Sequence, residues 1–148
     1  MDKVETYEIA EKFFQSTFAT IYICRSKKEP NQEYILKQFQ PPLPELQEDL
    51  WQRYNKDLLA SASVQRQIHM AGSNYWAPIL EIGEDQKKSY YVTKRYSSSL
   101  QQIFQAEIRL APESIYVILD SVFSGLRDLK NTLRRPNGNL KPSNVLSA

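Results

Sequence analysis

The chain is poor in glycine, cysteine and histidine: 148 residues include four glycines, one cysteine and one histidine. With so few glycines, tight turns must rest on proline, asparagine and charged residues. A single cysteine, Cys24, excludes an internal disulfide, and its apolar run "TIYIC" reads as a buried strand thiol. His69 has no partner at metal-ligand spacing and reads as structural or surface. No apolar run approaches the roughly 18 residues of a membrane span, and "MDKVETYEIAEKFF" lacks a signal-peptide core. The net charge is +2, and Arg134-Arg135 and Lys87-Lys88 are isolated pairs rather than a nucleic-acid footprint. These absences lead us to expect a cytoplasmic, metal-free protein with neither nucleic-acid nor membrane partners.

What is present fits an ordinary globular composition, 41% hydrophobic and 24% charged. A chain of this length buries about 68–70% of its unfolded surface, enough for a real core. Tyr7–Phe14, Ala19–Ser26 and Glu33–Phe39 are short segments rich in Tyr, Ile and Phe, and "SKKEPNQ" between the last two reads as a hairpin turn. Pro41, Pro42 and Pro44 end the strand pattern. "PPLP" has the PxxP form of an SH3 ligand, but one short instance reads better as a linker. From Glu45 the pattern turns helical, with Leu46, Leu50, Tyr54 and Leu58 every four residues and Gly72 as C-cap. Two strands follow, Ile79–Glu84 and Ser89–Tyr96, around "EDQKK". A short helix at Ser99–Gln105 precedes a longer one opened by Pro112, with Ile115, Ile118, Leu119, Val122, Leu126, Leu129 and Leu133 along one stripe. No internal repeat is visible. The order is that of an α+β fold with an antiparallel sheet.

Three motifs lie on those elements in a telling order. "EYILKQF" places Lys37 on the third strand, "EIGEDQKKSYYVTKRY" forms a strand pair, and "NGNLKPSNVL" lies 107 residues beyond Lys37 at Asn144. Together they resemble a protein kinase domain of the Ser/Thr type over nearly the whole chain. The resemblance implies a small lobe over residues 1–96, a five-stranded antiparallel sheet plus one helix ending at the hinge. It implies a partial large lobe over 97–148, truncated after the catalytic loop.

The resemblance also assigns roles. Ile21 matches the branched residue over the adenine, Thr93 the gatekeeper, and Lys94-Arg95-Tyr96 the hinge. Lys37 matches the lysine that holds the nucleotide phosphates, Lys141 the lysine beside the transferred phosphate, and Asn144 a magnesium ligand. Ile21, Lys37, Thr93 and Tyr96 would line a nucleotide pocket for ATP and magnesium. Other positions depart from the pattern. Phe14-Gln15-Ser16-Thr17-Phe18-Ala19 replaces the glycine-rich loop with no glycine at all. Ile35 stands where the family has a small residue against the adenine. No Asp or Glu occurs between Asp57 and Glu81, so Gln65 falls at or beside the glutamate that pairs with the lysine. Asn139 replaces the catalytic aspartate, and an amide is no useful base. The Asp-Phe-Gly segment would follow Ala148.

Phosphoryl transfer rests on positioning and charge stabilisation by those groups. Their loss inside the chain implies a pseudokinase, no enzyme and without cofactor, that acts as a binding or scaffolding module. The alternative is the N-terminal portion of an ATP-dependent Ser/Thr protein kinase, completed by another segment. Alternation places Lys37 on one face with Ile35 and Phe39, among apolar neighbours. The run Ile115-Tyr116-Val117-Ile118-Leu119 exceeds a full helical turn, so one packed face cannot cover it. Val117, Leu119, Val122 and Phe123 are therefore expected in an exposed patch, and the helix around Ile115–Leu129 is expected to bind a protein partner or form a homodimer.

Overall fold

A computed structural model describes residues 6–40, 48–134 and 140–147. Five strands, β1 (Tyr7–Gln15), β2 (Ala19–Ser26), β3 (Glu33–Phe39), β4 (Glu81–Asp85) and β5 (Lys88–Lys94), form one antiparallel sheet in the order β1-β2-β3-β5-β4. Three helices, α1 (Glu48–Met70), α2 (Leu100–Gln105) and α3 (Pro112–Leu133), complete an α+β fold. The chain divides into two compact units. Met1–Arg66 and Ala77–Arg95 make the first, with the sheet and most of α1; Gln67–Trp76 and Tyr96–Ala148 make the second. The "PPLP" segment and Leu46 lie outside the described residues.

The central strands of the first unit's sheet are buried on both faces. On one, Cys24, Leu36 and Val92 are fully enclosed. The tyrosines Tyr7, Tyr34 and Tyr90 pack over them, the first two edge to face at 5.3 Å. Their polar ends need partners when their rings are buried. Tyr90 donates to Glu81 at 2.7 Å and Tyr34 to Glu29 at 2.6 Å, while Thr6 donates to the other Glu81 oxygen. The opposite face carries Ile23 and Phe39, with Phe39 against Trp51 of α1.

Helix α1 corrects the sequence expectation. Of its four-residue stripe, Leu50 and Tyr54 are 39% and 38% exposed and Leu58 is half-buried, while Asn55 and Ala62, off the stripe, are buried. The sheet selects a different face for a physical reason. The β4–β5 hairpin turns on Gln86 and Lys87, both at positive φ (49° and 63°) with no glycine. Asn55 donates to the Lys87 carbonyl at 3.0 Å and accepts from the Ser89 N–H at 2.6 Å, holding that turn. A polar side chain buried with both bonds made outcompetes an apolar one there, because the Ser89 N–H would otherwise lack a partner. β4 starts at Glu81, opposite Val92, two residues later than the pattern suggested.

In the second unit, Ser99 caps α2 and shares a reciprocal capping box with Gln102. Gly72, at φ 104°, follows the end of α1 as a left-handed cap. The segment after it docks on α3. Ser73 donates to Asp128 at 2.6 Å, and the Trp76 indole donates to the Gly125 carbonyl at 2.9 Å. A Cβ on Gly125 would lie 3.3 Å from Tyr75 and 3.4 Å from the indole nitrogen, so glycine permits the close approach. His69 Nδ1 lies 3.3 Å from the Ser73 carbonyl, a structural role. The buried positions of α3 are thus Ser124, Gly125 and Leu129. Ile115, on the expected stripe, is 44% exposed, because the docked segment meets the small residues instead, and Leu119, expected in the exposed patch, is 47% exposed. Two short strands, β6 (Ser98–Ser99) and β7 (Leu146–Ser147), pair antiparallel beyond a single 3-10 turn at Pro142–Asn144.

Candidate functional site

Lys37 is the chemically unusual residue of the first unit. Strand alternation sets it beside Ile35 and Phe39, and the register places Ile21 of β2 and Tyr91 of β5 directly opposite it. Thr93 stands opposite Ile35. Ile21, Lys37 and Thr93 therefore share one sheet face, the face on which Phe39 meets α1. Burial lowers the Lys37 ammonium from its ordinary value. Burial likewise raises the Tyr91 hydroxyl.

A buried ammonium wants a carboxylate. Among the described residues the ion pairs are Arg25–Glu33 and Arg95–Glu33, and Lys37 joins neither. Gln65, the α1 residue expected near Lys37, donates to the Ala77 carbonyl at 2.6 Å instead. Its amide thus ties α1 to the segment ahead of β4.

The turn between β1 and β2 is compact. The Ser16 N–H donates to the Ala19 carbonyl at 2.8 Å, and the Ala19 N–H donates back to Ser16 Oγ. The Phe18 carbonyl accepts from Gln40, and the Phe18 ring packs on Tyr54 of α1 at 4.9 Å. Tyr54 thus finds its role here rather than in the core. Backbone donors bonded inside such a turn are not available to an anion. Phe13 and Phe14 of the bulged edge strand stand exposed at 51% and 56%, with Arg95 over the Phe13 ring. A polar depression lined by Arg25, Asn31, Glu33 and Arg95 adjoins this region, but Glu33 already bridges the two arginines and offsets their charge.

The remaining residues singled out in the sequence belong to the second unit. Tyr96 has its hydroxyl raised by burial. Lys141 and Asn144 flank and end the 3-10 turn, where the Asn144 N–H donates to the Lys141 carbonyl at 2.9 Å; both residues are exposed. Asn139 lies outside the described residues. Leu140 and Leu146 are 53% and 47% exposed. The loop is held through its backbone instead: the Leu100 N–H donates to the Val145 carbonyl at 2.8 Å, and β7 pairs with β6.

The second unit also presents an apolar helix face. Tyr116 is 76% exposed, Val117 and Phe123 65% each, and Leu119 47%. Val122 was expected in this patch but is only half-exposed. Among the described residues there is no group of acidic, His or Cys side chains able to hold a metal, and no helix is long and apolar enough to cross a membrane. No protein-family model and no curated protein sequence matches the chain.

Sequence reasoning missed Asn55, the Ser73–Asp128 pair and the Trp76–Gly125 contact. Trp76 and Gly125 are distant in sequence, and nothing periodic links them. The only signal was a glycine inside an otherwise good helical stretch, which often marks a close approach.

Proposed function

We propose that this chain is a catalytically silent, protein kinase-like domain that works as a protein-binding module. The reading is supported by the motif order in the sequence and by the antiparallel five-stranded sheet with a helix packed on the Lys37 face. The observation that carries it is Lys37 itself: a desolvated ammonium without a carboxylate partner among the described residues, with Gln65 committed to Ala77. An ammonium held that way is poorly arranged to orient phosphates, and the β1–β2 turn has no glycine to let a phosphate approach its backbone. Binding is then the remaining role, and the exposed face of α3 is the surface suited to it.

The test is nucleotide binding. A ligand at 100 times its dissociation constant stabilises a fold by about 2.7 kcal/mol. For a domain of this size that raises the melting temperature by roughly 5–10 °C. Millimolar ATP with magnesium is expected to shift it by less than about 1 °C, and phosphate transfer from labelled ATP should not exceed a Lys37→Ala control. A shift of several degrees that vanishes in Lys37→Ala overturns the proposal. It promotes the alternative, part of an ATP-dependent protein kinase.

A further inference from the structure

The exposed face of α3 carries a charge pattern as well as an apolar one. At about 100° per residue, Glu113, Tyr116, Leu119, Asp120, Phe123, Arg127 and Lys130 fall within an arc of roughly 120°, and Arg134 follows the last turn as its left-handed C-cap residue. All eight are exposed. The buried Gly125 and Leu129 lie on the opposite side, and the buried Ser124 lies just beyond the Glu113 edge of the arc. Along this arc the acids occupy the N-terminal half and the arginines the C-terminal half. Among the described residues none of these charged side chains makes an ion pair.

The spacing is self-complementary. Glu113 and Asp120 are seven residues apart, and so are Arg127 and Arg134. Consequently the pair Asp120 and Arg127 and the pair Glu113 and Arg134 are centred on the same point, between Phe123 and Ser124. If a second α3 lies antiparallel across that point, Asp120 of each copy faces Arg127 of the other, about 5 Å along the axis from the centre. Glu113 of each comes level with the C-cap Arg134 of the other, about 16 Å from the centre along the axis. A two-fold axis makes every contact twice. Phe123, 65% exposed, stands at the middle, with Tyr116 and Leu119 between the inner and outer charges. Parallel pairing would instead set acid against acid and arginine against arginine.

Resting on the reading of α3 as a docking face, we propose that its occupant is a second copy of this chain, paired antiparallel through Phe123 in the register set by Asp120–Arg127 and Glu113–Arg134. An apolar centre supplies the association, and the charges choose orientation and register.

Sedimentation equilibrium of the whole chain tests this with two charge-reversed variants. One is Glu113→Lys/Asp120→Lys; the other is Arg127→Glu/Arg134→Glu. Wild type is expected at twice the chain mass at ~100 µM, and each variant alone as a monomer. An equimolar mixture of the two should recover the dimer, because every reversed charge then meets its opposite; recovery also shows that both variants are folded. Variants that remain dimeric alone, or a mixture that stays monomeric, overturn the proposed register and with it the proposal. A monomeric wild type overturns self-pairing, and hydrophobic-dye binding then separates the two readings. Dye bound by wild type but not by Phe123→Glu leaves α3 as a docking face for another protein. No dye bound by wild type removes the docking face as well.

Discussion

Replacing Lys37 with methionine tests the arrangement on which the functional reading rests. The substitution keeps length and volume and removes the charge. Lys37 is half-buried, flanked across the sheet by Ile21 and Tyr91, and has no ion pair among the described residues. The desolvation cost of a fully buried ion reaches several kcal/mol, and partial exposure leaves about 1–2 kcal/mol here. Lys37→Met is therefore expected to stabilise the fold by that amount, a rise of roughly 2–8 °C in melting temperature. The effect carries a pH signature. The folded-state value of Lys37 lies below its ordinary 10.5, so between the two the unfolded chain holds more protons than the folded one. Wild-type stability, relative to the variant, then rises with pH in that window. Below the folded value the penalty is fully present and constant. The gap between variant and wild type should be widest near neutral pH and narrow towards pH 10. Chemical denaturation of both proteins at pH 7 and near pH 9.5 measures it. The raised tyrosine hydroxyls are common to both proteins and cancel in the difference. Destabilisation of 1 kcal/mol or more by Lys37→Met at pH 7 would show that Lys37 has an anionic partner and refute the reasoning. A gap independent of pH would refute the burial argument.

Asn55→Ala removes both bonds to the β4–β5 turn and strands the buried Ser89 N–H, so it should cost about 2–4 kcal/mol by chemical denaturation. A loss under about 1 kcal/mol would mean the turn holds itself. Cys24 is fully buried, and burial, with Glu81 adding to it, pushes its thiol up to about 12. A thiol reagent at pH 8 should therefore label the native chain far more slowly than the denatured one. Comparable rates would contradict the closed tyrosine-covered face.

The first three strands, the three helices and the α+β order were legible in the sequence, because they rest on local signals. Short aromatic and β-branched runs, proline at the start of α3 and Ser99 ahead of α2 act within a few residues of themselves. The same local signals placed Lys37 on a face with Ile35 and Phe39, since strand alternation needs no knowledge of the neighbours. They also marked the run from Ile115 to Leu119 as too apolar for one packed face. What they could not decide was which groups meet. The helix face that packs was settled by the needs of a glycine-free turn across the sheet, so Asn55 displaced Leu50 and Tyr54 from the buried side. Gln65 was drawn to Ala77, and α3 turned Gly125 towards Trp76, burying Leu129 of its stripe but leaving Ile115 exposed. Each of these choices joins segments 12 to 49 residues apart by a bond whose worth depends on burial. The sequence by itself thus determined the elements and the face on which Lys37 stands; only tertiary structure decided that Lys37 would be desolvated without an ion-pair partner among the described residues, because burial and partnership arise when distant segments meet.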